Sequence, residues 1–82
     1  MSSLRGANPD DEERLAVLSP RERRVLTLLA RGKPVKSIGL VLGISPRTVN
    51  FHAASIVRKL GAANRLQAVV IAIRAGILAQ RG

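Results

Sequence analysis

The run "RTVNFHAASIVR", residues 47 to 58, holds the only phenylalanine and the only histidine of an 82-residue chain that lacks tryptophan and tyrosine. Read as a helix with successive residues about 100° apart, it puts Val49, Ala53, Ile56 and the following Leu60 on one side. His52 and Val57 fall at the margins of that side, and His52 reads as a partly buried residue holding the helix to its neighbours. The opposite side carries Arg47, Phe51, Ala54, Ser55 and Arg58, with Asn50 and Lys59 at its edges and no acid among them. The chemistry open to such a face is recognition of base edges. An Asn amide pairs bidentately with adenine, an Arg fork with guanine, and an apolar side chain packs on a thymine methyl. Ala54 leaves room for the helix backbone to approach what it reads.

Covalent chemistry is not supported by the same inventory. With one His, no Cys, no Tyr and four of five acids before residue 14, no catalytic residues can be assembled, and no metal or cofactor site is expected. The longest apolar stretch, Leu66 to Leu78, is broken by Gln67, Arg74 and Gly76 and is too short to span a bilayer. The N-terminus has no apolar run of the kind a secretory signal needs. A cytosolic protein without a membrane partner is the expectation.

The charge points to a polyanion. Fourteen Lys and Arg against five acids give a net charge of +9, and the acids Asp10, Asp11, Glu12 and Glu13 sit together near the start. From Ser19 onward, Glu22 alone faces all the bases except Arg5 and Arg14.

Elements that could position the reading face are signalled clearly. Residues 1–18 read as a flexible acidic tail, of which only "RLAVL" can pack on anything. Residues 19–82 read as one all-α, four-helix bundle-like domain, since the apolar residues are mainly aliphatic and recur at helical spacing. "SPRE" at 19–22 is a capping box that opens the first helix, which Gly32 ends. A second helix runs from about Val35 to Leu42 and stops at Gly43. Ser45 and Pro46 start a third, which continues to Leu60 and ends at Gly61. Asn64 caps a fourth, from Arg65 to about Leu78.

The second and third helices therefore meet through a turn of about three residues, the geometry of a helix-turn-helix whose second helix enters the major groove. Gly39 supplies the small residue needed where the two cross, and Ile38, Leu42, Ile44 and Val49 close the angle. The start of the third helix, with Ser45, Thr48, free backbone N–H groups and a positive dipole end, suits a phosphate. Arg58, Lys59 and Arg65 flank it as further phosphate contacts.

The stretch from Leu18 to Leu78 resembles the C-terminal DNA-binding domain of the LuxR family of bacterial transcription regulators, the GerE-like helix-turn-helix. The residues that carry the resemblance are "LSPRERRVL" at 18–26, "ARGKP" at 30–34, "LGISPRTVNFH" at 42–52, "IVRKLGAANR" at 56–65 and "QAVVIAIRAGIL" at 67–78. "FH", "KLGAANR" and "QAV..AI..GIL" are similar to the quorum-sensing branch in particular. The resemblance implies four helices, the third in the major groove, the fourth pairing two domains, and binding to an inverted repeat in the bacterial nucleoid. One departure is visible: the family usually has Glu-Ile-Ala where this chain has Ser37-Ile38-Gly39.

The fourth helix points to a partner on its own evidence. Ala68, Val69, Ala72 and Gly76 form a small-residue face suited to close packing within the domain. Leu66, Val70, Ile73 and Ile77 form another apolar stripe, read with Arg74 as a homodimer surface. The expected function is sequence-specific binding of double-stranded DNA. The alternative is an interaction protein that pairs with a full-length regulator of LuxR type and modulates it; RNA polymerase is a further candidate partner. The family's usual sensory half has no room in the eighteen residues before Ser19, which leaves an excised domain and a stand-alone regulator both open.

Overall fold

A computed structural model describes residues 9–79 of the chain. Five α-helices follow in order, α1 (Pro9–Leu15), α2 (Pro20–Ala30), α3 (Val35–Leu42), α4 (Pro46–Leu60) and α5 (Arg65–Arg74), with a 3₁₀ turn at Ile77–Ala79. The fold is all-α, and α2 to α5 are the four expected helices.

Their starts are built by the residues that the sequence singles out. Ser19 caps α2: its Oγ accepts from the Glu22 N–H at 3.1 Å, while Glu22 Oε1 accepts from the Ser19 N–H at 2.9 Å, closing the capping box. Ser45 caps α4 by accepting from the Thr48 N–H at 3.1 Å, and Asn64 caps α5 by accepting from the Gln67 N–H at 2.8 Å. Gly43 and Gly61 end α3 and α4 in the left-handed conformation, at φ 71° and 65°.

One core joins the helices. Val25, Leu26 and Leu28 of α2, Ile38 of α3, Val49, Ile56 and Leu60 of α4, and Ala68, Ile71 and Ala72 of α5 are all buried in it. The inward side of α4 is the expected one, with Val49, Ala53, Ile56 and Leu60 buried together.

Two stretches differ from expectation. Residues 9–15, placed in the tail by sequence, form α1, while Leu15 and Leu18 of the "RLAVL" run join the core, as that run was expected to do. The Arg14 guanidinium donates to the Leu60 carbonyl, putting a cation on the C-terminal end of α4, where the helix dipole favours it. The acidic run misled because it masks a helix whose one large apolar residue, Leu15, finishes the core. The rest of the expected tail, residues 1–8, lies outside the described residues. At the other end α5 stops at Arg74 rather than near Leu78, because Gly76 takes φ 82° and breaks the helix. The chain then turns, so Ile77 points inward and is 2% exposed. It is a core residue, not part of an outward stripe.

Candidate nucleic-acid interface

The corner between α3 and α4 depends on a missing side chain. Gly39 is buried on α3, and the Ile44 N–H donates to its carbonyl at 3.0 Å as the chain turns back. A Cβ at residue 39 would stand 2.6 Å from the Ile44 carbonyl oxygen, a backbone atom that cannot rotate away. The glycine that departs from the family pattern thus lets the turn lie directly on α3. The turn aims α4, whose cap bond from Ser45 is reinforced by a 3.0 Å contact between the Ser45 and Thr48 hydroxyls.

Along α4 the exposed residues form a narrow stripe. Arg47, Phe51, Ala54 and Arg58 are all exposed, and they lie within about 40° of the line opposite Val49. Phe51, the one aromatic residue, is 70% exposed, with the His52 ring edge-on to it at a centroid distance of 6.2 Å. His52 itself is half-buried, in keeping with its expected anchoring place.

Both flanks of the stripe are held by neighbouring helices. On one side stands the buried Glu22 of α2. Its Oε2 accepts from the Ser55 hydroxyl at 2.7 Å, and its Oε1 pairs with the Lys59 ammonium at 2.8 Å. Burial pushes this carboxyl up, but the bonds from Lys59, the Ser19 N–H and Ser55, with the Lys59 charge, overcome it and hold the pKa at about 2 instead of 4.5. Ser55 is therefore not an outward residue: it is buried and its proton is committed to Glu22. Lys59 remains partly exposed, with its ammonium on Glu22. Helical spacing alone hides this, because it measures distance from one inward line. The two residues sit about 80° to 120° round from Val49, where α2 reaches them.

On the other flank, Arg65 at the start of α5 donates from Nη2 to the Asn50 Oδ1 at 3.1 Å. Both side chains are exposed, so Asn50 and Arg65, expected as separate contacts to base and phosphate, form one unit. Ser45 and Thr48 lie beside each other at the helix start, as expected. On α5, Leu66 is 71% exposed, and Val70, Ile73 and Arg74 are exposed too. Ala68 and Ala72 face the core and Val69 packs against it, the small-residue face expected inside the domain. Among the described residues no group of acids and histidines could hold a metal ion, and no helix is long and apolar enough to cross a membrane.

A capped helix set on a tight glycine turn, with an acid-free exposed stripe, defines a helix-turn-helix domain. Residues 16–72 match the family described as bacterial regulatory proteins, luxR family, and the chain belongs to that family. It is the DNA-binding domain type of a LuxR-family transcription regulator. The transcriptional activator protein SolR of Ralstonia solanacearum is 51% identical over 63 residues, covering 77% of this chain and 27% of SolR. The solved structure of the transcription factor GerE superposes with a TM-score of 0.67 at 38% identity, over 73% of this chain and 90% of that one. Full-length FixJ from B. japonicum gives a TM-score of 0.75 at 40% identity, over 85% of this chain and 34% of that one. The chain spans about a quarter of the length of SolR.

Proposed function

We propose that the chain binds an inverted-repeat site in double-stranded DNA as a homodimer and regulates transcription there. On this reading α4 lies in the major groove. Arg47, Asn50, Phe51, Ala54 and Arg58 face base edges and the adjoining backbone, and Ser45, Thr48 and the first N–H groups of α4 hold a phosphate. Arg65 adds positive charge at one margin, while at the other the Lys59 ammonium is balanced by Glu22. Leu66, Val70, Ile73 and Arg74 of α5 form the surface that pairs two copies, each offering one α4 to successive turns of the duplex. The bacterial nucleoid is then the place of work, and the likeness of "FH", "KLGAANR" and "QAV..AI..GIL" to the quorum-sensing branch of the family supports a part in quorum sensing.

One observation carries the reading: the only phenylalanine, in a chain without Trp or Tyr, is exposed in the centre of an acid-free stripe, not in the core. The experiment is a titration at two salt concentrations. A duplex enriched by the chain from a randomised pool is compared with one of random sequence. A preference for the enriched duplex is expected, with a log-log salt slope of about −0.9 for each phosphate neutralised. Equal affinity for the two would sink sequence reading.

A further inference from the structure

The bond between Arg65 and Asn50 gives these two residues a role that neither has alone. Arg65 is the first residue of α5, whose cap is already supplied by Asn64. A cation in a first turn opposes the helix dipole, so α5 itself gains nothing from an arginine there. Its guanidinium instead reaches fifteen positions back to the side-chain Oδ1 of Asn50 on the flank of α4. Arginine offers five N–H donors and no acceptor. With one of the two lone pairs of the Asn50 oxygen taken by Arg65, the exposed pair offers chiefly donors: the Asn50 NH₂ and the remaining guanidinium N–H groups.

We propose that Asn50 and Arg65 together select a guanine in the major groove, with Arg65 acting as the residue that positions Asn50; this rests on the DNA-reading function above. Guanine presents two neighbouring acceptors, N7 and O6, which match a donor row. Adenine presents an acceptor beside the N6 donor, which needs the amide oxygen as its acceptor; here that oxygen is already engaged by a guanidinium whose own N–H groups repel a second donor. The usual pairing of Asn with adenine is thereby reversed by a neighbour fifteen residues away. The guanidinium also polarises the amide it bonds, which strengthens the Asn50 N–H groups as donors.

The test is selection of bound sequences from a duplex pool randomised over about 20 base pairs, two turns of the helix. It uses the full 82-residue chain, Asn50→Ala, Arg65→Ala, Arg65→Lys and the double alanine variant. Both side chains are exposed, so the variants fold, and far-UV circular dichroism checks this. The unaltered chain should favour guanine at one position of each half-site by about tenfold or more. Asn50→Ala and Arg65→Ala should each relax that same position, and the double variant should do little more than either. Arg65→Lys, which keeps the charge but not the planar fork, should relax it as well. Loss of affinity spread evenly over all sequences in Arg65→Ala, with the guanine preference kept, would make Arg65 a plain phosphate contact and overturn the proposal. So would effects of the two residues at different positions. An unaltered chain that enriches no sequence would overturn the DNA-reading function itself, and the pairing proposal with it.

Discussion

Glu22 ties α4 to α2, and its removal has a calculable effect. The carboxyl falls from 4.5 to about 2 on folding, which corresponds to about 3 kcal/mol of stability at neutral pH. Lys59, its charged partner, is 38% exposed along its side chain, so solvent screening trims the figure to about 2 kcal/mol. Glu22→Gln keeps the size and one carbonyl oxygen but removes the charge on which Lys59, the Ser55 hydroxyl and the Ser19 N–H converge. The variant should lose about 2 kcal/mol at pH 7, a large part of the stability of a domain this small. The sign follows from the depressed folded value: stabilisation is fully present above pH 4.5 and is lost as pH falls through 2. Urea unfolding followed by far-UV circular dichroism suits a chain without Trp or Tyr. The gap between the native chain and Glu22→Gln should be widest at neutral pH, begin to narrow near pH 4.5, and be mostly gone near pH 2. Because the other acids titrate in both chains, the difference isolates Glu22. A gap that stays constant over that range, or is absent at pH 7, would refute the claim that a charged Glu22 locks the flank of α4.

Phe51→Ala should leave the unfolding midpoint unchanged, since the ring is exposed, while competition between specific and random duplexes shows reduced discrimination; an equal loss on both duplexes would make the ring a structural feature only. Gly39→Leu should destabilise the fold by about 1 to 3 kcal/mol in urea unfolding, because even the Cβ meets the Ile44 carbonyl; a neutral result would mean that the turn does not rest on α3. Leu66→Glu should leave the fold intact but abolish dimers in sedimentation measured with the specific duplex, and an undiminished dimer would remove α5 from the interface.

The helix starts at Ser19, Ser45 and Asn64 were legible because caps are local: a side chain three residues from an N–H leaves its mark in sequence. The inward face of α4 was legible for a similar reason, its period being that of the helix itself. Contacts across elements were not. Glu22 is in the capping box by sequence, but its grip on Ser55 and Lys59, 33 and 37 residues on, depends on where α2 packs. Arg65 likewise reads as one more surface cation until α5 brings it to Asn50. The helix over residues 9–15 was hidden by its acids, and the inward turn of Ile77 by the assumption that a helical stripe continues past Gly76. A left-handed glycine ends that stripe and turns the next large side chain inward.

On the proposed reading, the outward stripe of α4 meets the bases. Backbone amide shifts of the isotope-labelled chain, recorded as the enriched duplex is added, test it most directly. The largest changes should fall between Ser45 and Arg58, centred on Phe51, with smaller ones at Arg65 and little change in α1. Changes centred on α2 or α5, with α4 unmoved, would contradict it.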